Sequence, residues 1–289
     1  MRKCGWLGGI LIVPILAVWV QAGPEPGLAL ARELAEGNDH AAAAVEFRRL
    51  AMESADPAGQ GAYYWMAGYE YWQAGRTDQA ERMLNLAEDA GPNLETEVYL
   101  LRGENSRKKN RPREAGFYLE SLLSTNRSES VRQFAAKKLS AVRLQLRDYQ
   151  GARQALSTVP ESGEAGLAAI GAYQSGRDKS PMVGGLLGLI PGLGYAYSGE
   201  YASASRSLLL NALCIWGIVE FSENEQWAGV AVVGFAEITF YSGSIYGGAD
   251  AAVRYNQDRL QTATRTIEGS SRFAPVPAML PVLSLKFSF

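Results

Sequence analysis

The 289-residue chain contains one histidine, His40, and two cysteines, Cys4 and Cys214. A lone histidine argues against a hydrolase triad built on imidazole and against a His-rich metal centre. One early and one late cysteine give neither zinc-ligand spacing nor a CxxC redox pair. The hydrophobic run follows Cys4, so Cys4 does not sit in a lipoprotein-like box. A formal charge of −2 supplies no basic field for nucleic acid. The carboxylates are scattered and define no acid/base pair. An enzymatic activity, a cofactor and a nucleic-acid partner are therefore not expected.

Charge is also scarce in one part of the chain. Residues 180–289 carry only six Lys and Arg and eight Asp and Glu, and they are rich in glycine. The stretch SPMVGGLLGLIPGLGYAYSGEYASA, residues 180–204, holds Gly192-Leu193-Gly194, but the third position of a dinucleotide fingerprint is Tyr197. No GK[ST] follows and no strong strand precedes, so a phosphate loop is excluded.

At the N-terminus, Arg2 and Lys3 precede an apolar run, Gly5 to Val20, and Val20-Gln21-Ala22 offers small residues for cleavage. Residues 1–22 read as a signal peptide, or alternatively an uncleaved anchor, and the next domain is expected to face away from the cytoplasm.

Residues 23–179 read as helix pairs. Tyr64, Ala67, Gly68 and Tyr71 follow the spacing W-x2-L-G-x2-Y, and Ala80, Leu84 and Pro92 continue it. Gly68 and Ala80 let two helices approach, Gly75 ends the first helix, Thr77 or Asp78 caps the second, and Pro92 stops it. Ala43, Ala80, Ala115 and Ala152 recur at separations of 37, 35 and 37 residues. The pattern resembles the tetratricopeptide repeat and implies about four units in a solenoid, with a capping helix from Glu164 to Ser175.

In that architecture the first helix of each pair lines a concave groove. Trp65, Tyr69 and Trp72 share one face of such a helix with Ala62 and are candidate contacts for a protein or peptide partner. The competing reading of an aromatic stripe at helical spacing is core packing. The basic run SRKKNRPR, residues 106–113, reads as a solvated repeat turn, with an acidic partner or anionic lipid headgroups as the alternative.

Residues 180–260 read as a membrane domain. An apolar run from Ala202 or Leu208 to Phe221 and a second from Trp227 to Tyr246 flank the polar turn 222–226, predicting a helical hairpin. Pro191-Gly192-x-Gly194-x-x-Tyr197-x-Gly199 before it resembles small two-span membrane domains, some appended to helical-repeat proteins of bacterial envelopes, and implies membrane residence. Pro191 and the glycines forbid one regular span, so this stretch is expected to dip into the bilayer or cross it irregularly. Tyr195, Tyr201, Trp216, Trp227, Tyr241 and Tyr246, with Tyr197, are candidates for the interfacial aromatic belt.

Glu237 lies inside the second run. It is either a functional acid or a protonated side chain bonded to Asn211 or Ser242. The flanking Arg206, Arg254 and Arg259 favour cytoplasmic flanks, against the outside placement implied by the signal segment. The repeats are expected outside, with the hairpin's direction open.

Residues 261–289 read as a linker and an extended tail, with Leu283, Leu285, Phe287 and Phe289 alternating as in a strand that adds to a partner's sheet edge or stays loose.

The expectation is an all-α protein: a scaffold of the cell envelope, inner membrane favoured, with a protein or peptide partner and membrane lipid. The alternative is a subunit of an envelope transport, secretion or insertion complex that uses Glu237.

Overall fold

The computed structural model describes residues 26–90, 94–125, 128–158, 163–276 and 284–288. Residues 1–22 and Pro92, read above as a signal segment and a helix stop, lie outside them, as do Leu283 and Phe289. The described chain is α-helical, with one two-stranded ribbon.

Nine helices come first: α1 (Pro26–Glu36), α2 (His40–Glu53), α3 (Pro57–Gln73), α4 (Thr77–Ala90), α5 (Glu95–Lys108), α6 (Pro112–Thr125), α7 (Glu129–Gln145), α8 (Tyr149–Leu156) and α9 (Gly163–Ser175). From α1 to α9 each helix packs on the next. The helix expected at Glu164–Ser175 is α9.

The turns inside successive pairs are built alike. Asn38, Gly75, Asn110 and Arg147 adopt left-handed φ of 61°, 76°, 55° and 61°. Their separations repeat the 37, 35 and 37 of the alanines. After each, a backbone N–H reaches back five residues, from Asp39 to Leu34, Arg76 to Tyr71, Arg111 to Ser106 and Asp148 to Arg143, at 2.8–2.9 Å. This bond satisfies a carbonyl that the helix end would otherwise leave open. Only one of the four positions is glycine, so the bond pattern rather than residue type sets the turn.

The seams repeat as well. Ala31, Gly68, Gly103 and Ser140 are all buried, each twelve residues before its alanine. Phe47, Leu84, Leu119 and Leu156 follow each alanine by four and are at most 1% exposed. A Cβ on Gly68 would lie 3.5 Å from Leu84 Cγ, and one on Gly103 would lie 3.5 Å from Leu119 Cγ. Burying each such leucine contributes roughly 1.5–3 kcal/mol. Tyr71 and Ala80 are core residues, and Tyr64 is half-buried between two parts of the core. His40 hydrogen-bonds Glu70 at 2.7 Å, tying α2 to α3.

The glycine-rich stretch forms two short helices, α10 (Pro181–Leu187) and α11 (Leu193–Tyr197). At 1.5 Å per residue they are about 10 and 8 Å long, far below the roughly 30 Å of a bilayer core. Neither spans a membrane alone. Two long helices follow, α12 (Tyr201–Glu223) and α13 (Trp227–Glu268). Each contains a stretch long and apolar enough to cross a membrane, and only 6% of that stretch is buried within the protein. Met182, Leu186 and Ile190 extend the exposed apolar surface onto α10 and its following turn.

α10 and α11 pack on α13 through glycine against glycine. A Cβ on Gly248 would lie 2.5 Å from the Gly184 carbonyl oxygen and 2.9 Å from Gly194 Cα. Gly192, at φ 88°, presses on the Ala204 carbonyl, and its N–H donates to Ser244 Oγ at 3.2 Å. The Tyr197 hydroxyl accepts from the Ser180 N–H at 3.1 Å, and Lys179 Nζ lies 4.7 Å from the Tyr197 ring. Gly199 forms the turn into α12 at φ 84°.

Two sequence expectations need correction. Residues 261–268, read as the start of a linker, are the last two turns of α13. Their Ala263 and Ile267 are buried with Ile170 of α9 and Leu144 of α7. The tail contains two strands, β1 (Arg272–Val276) and β2 (Ser284–Ser288), which pair antiparallel with Phe273 opposite Phe287. The expected strand therefore pairs with its own chain.

Candidate partner-binding groove

Trp65, Tyr69 and Trp72 lie on α3, one or two turns apart, and their rings meet. Trp65 stacks on Tyr69 with centroids 5.6 Å apart and planes at 14°, and Tyr69 meets Trp72 at 5.8 Å. Trp65 is 0% exposed and its Nε1 donates to the Glu97 carbonyl at 2.8 Å. Tyr69 is 8% exposed, and its hydroxyl accepts from Gln73 Nε2 at 2.9 Å. Trp65 and Tyr69 are thus core residues here, correcting their reading as open contact positions. Trp72 is half-buried. Helical spacing alone does not tell a core wall from a groove wall.

The face is closed by Phe273 of β1. Its ring lies 6.4 Å from Trp65, 6.2 Å from Tyr69 and 5.4 Å from Phe134 of α7, the last edge-on at 89°. Phe273 is 7% exposed. Leu285 of β2 packs on the same cluster. Between β1 and the helices remains a cavity of about 660 Å³, lined by Tyr69, Trp72, Gln73, Phe134, Lys138 and Ser271 among others. Trp72 Nε1 and Ser271 Oγ are buried there without a hydrogen-bond partner among the described residues.

A charged cluster behind the cavity holds α13 to the other helices. Lys138 of α7 donates to Glu268 at 2.7 Å, and Arg107 of α5 pairs with Glu268 and, at 2.7 Å, with Glu104. Sequence reasoning missed Phe134, Phe273 and this cluster. Their partners lie up to about two hundred residues apart in sequence, and no local pattern links them.

The basic run 106–113 has the turn position expected of it, between α5 and α6. Arg107 is in the cluster just described. Lys108 Nζ donates to the Trp72 carbonyl at 2.6 Å and lies 5.2 Å from the Trp72 ring centroid. Lys109 pairs with Asp78 at 2.7 Å. These cations are largely satisfied within the chain.

Glu97 sits beneath Trp65. Burial pushes its carboxyl above the ordinary carboxylate range, partly opposed by its own backbone N–H, and Oε2 has no partner among the described residues. A raised folded pKa means that the ionised form costs stability above that pKa, and that the cost is gone below the unfolded value. Glu97→Gln is therefore expected to raise the thermal midpoint at pH 7, with the gain shrinking as pH falls through the raised pKa toward 4.5. Midpoints of both proteins from pH 4 to 8 check this. A gain that grows toward low pH would reverse the sign.

In the apolar pair α12 and α13, Glu237 Oε2 is buried without a hydrogen-bond partner among the described residues. Asn211 and Ser242 are not its partners, in contrast to expectation. Asn211 Nδ2 donates to the Ser207 carbonyl at 2.7 Å and Ser242 Oγ to that of Thr239 at 3.0 Å. Both bonds close within one helix.

Among the described residues no group of three or more His, Cys, Asp or Glu is arranged to hold a metal ion. No protein-family model, curated protein or solved structure matches this chain, so the reading of its function rests on the geometry of its own residues.

Proposed function

We propose that the chain is a membrane-anchored protein–protein interaction scaffold of the cell envelope. In this reading α1–α9 form a tetratricopeptide-like solenoid that binds a partner through the α3 groove, and α12 with the first half of α13 forms a membrane hairpin. The observation that carries it is the joining of two unlike surfaces through one helix. α13 begins as an exposed apolar helix and ends buried against α7 and α9. Exposed apolar area on this scale marks a membrane or a protein interface. The recurring turns and small-residue seams support the repeat architecture.

Placement of the repeats on the periplasmic side, with the inner membrane favoured, rests on the targeting pattern of residues 1–22. The glycine crossing keeps α10 beside the middle of α13, so the repeats and the acidic turn at 224–226 should lie on opposite sides of the bilayer. Thiol labelling of Asn224→Cys and Ser270→Cys in sealed vesicles is expected to reach them from opposite faces. A photo-crosslinker at Gln73 should capture a protein partner. Labelling from one face, or release of the chain by alkaline carbonate, would remove the hairpin part.

A second reading, a subunit of a transport, secretion or insertion complex, is favoured by the unpartnered Glu237 oxygen. Glu237→Gln is then expected to impair that complex while leaving membrane residence intact, and wild-type growth and transport would remove this reading.

A further inference from the structure

We propose that strand β1 is a resident, exchangeable ligand of the α3 groove, and that the groove's partner is an extended segment carrying a Phe ring. This rests on the scaffold reading and names the partner's chemistry.

The ring requirement comes from what already fills the site. Phe273 touches Trp65, Tyr69 and Phe134, one aromatic residue set among three, in geometries that aromatic pairs favour. The segment presenting it is extended, as in partners that bind by their backbone and alternate side chains.

Exchangeability comes from how poorly the rest of the strand fits. The cavity of about 660 Å³ remains beside it. Among the described residues, Trp72 Nε1 in the groove wall has no acceptor, and Ser271, 3% exposed, has an unpartnered hydroxyl. A buried donor left unpaired costs about as much as a lost hydrogen bond, so the resident strand leaves binding energy unused.

The strand also arrives through a glycine hinge. Gly269 has φ 57° and ψ −134°, a conformation that residues with a Cβ rarely adopt, and nothing lies within 4 Å of where its Cβ would be. Gly269→Val therefore disfavours the docked strand without touching a groove side chain.

The test uses the full-length chain in detergent micelles and fluorescein-labelled peptides read by anisotropy. One peptide is Ser-Arg-Phe-Ala-Pro-Val, matching 271–276, and a second has Ala in place of Phe. Gly269→Val and Phe273→Ala are each expected to bind the first peptide about ten-fold more tightly than wild type, because the groove is no longer self-occupied. The peptide with Ala in place of Phe should not bind. Folded variants that bind no better than wild type would overturn the proposal, as would equal binding of the Ala peptide. Loss of folding in both variants would also overturn it, since the strand would then be an integral part of the core. If the crosslinker at Gln73 captures a partner equally in wild type and Gly269→Val, the scaffold reading stands and exchange is excluded.

Discussion

Replacing Trp65 with Ala is expected to destabilise the helical body by about 3–5 kcal/mol, the usual cost of removing a fully buried large aromatic side chain. The indole is 0% exposed, stacks on Tyr69, meets Phe273 and bonds the Glu97 carbonyl. Its removal leaves a void between α3, α5 and β1 that close-packed neighbours fill only in part. Trp72→Ala, at a half-buried ring whose Nε1 has no partner among the described residues, is expected to cost markedly less. Urea unfolding followed by circular dichroism separates the two. Equal stability of the Trp65 variant and wild type would mean that Trp65 is not core, and would restore it to the contact surface.

The glycine crossing gives the second large effect. Gly248→Ala is expected to destabilise the packing of α10 on α13 by about 1–3 kcal/mol through overpacking. The new Cβ would stand 2.5 Å from one backbone oxygen and 2.9 Å from a Cα, and neither can swing aside as a side-chain tip does. Gly243→Ala, five residues earlier in the same helix, has nothing within 4 Å. It should stabilise by about 0.5–1 kcal/mol, because alanine loses less backbone freedom than glycine in a helix. The same substitution thus has opposite signs in adjacent turns. Thermal unfolding in micelles checks both, and a tolerated Gly248→Ala would mean that α10 does not dock on α13.

These two sites also show what sequence can convey. The repeat register was legible because its causes are local: a small residue, an alanine twelve positions on and a large apolar residue four further all belong to one helix pair. The aromatic stripe was legible for the same reason. Its role was not, because a period of 3.6 gives the face of a helix but not what covers it, and the cover, Phe273, arrives from the far end of the chain. The continuation of α13 through residues 261–268 is not legible in the same way, because the apolar run ends at Tyr246 and the packing partners of Ala263 and Ile267 lie on α7 and α9. Gly248 serves for contact with Gly184 and Gly194, and the charged turns that follow are stabilised by packing on α7 and α9 and by Glu268 with Arg107 and Lys138.

The unbroken α13 has a mechanical consequence. At 1.5 Å per residue its 42 residues make a rod of about 63 Å, twice the thickness of a bilayer core. Helices answer a change in membrane thickness by changing their tilt. On the membrane reading, a tilt of about 10° at one end of such a rod displaces the other by roughly 11 Å, more than the separation of two packed helices. That far end carries Glu268 and, three residues past the helix, the strand lying on Trp65 and Tyr69. On the same reading, a change in bilayer thickness would reach the helical body directly through the end of α13, which packs on α7 and α9.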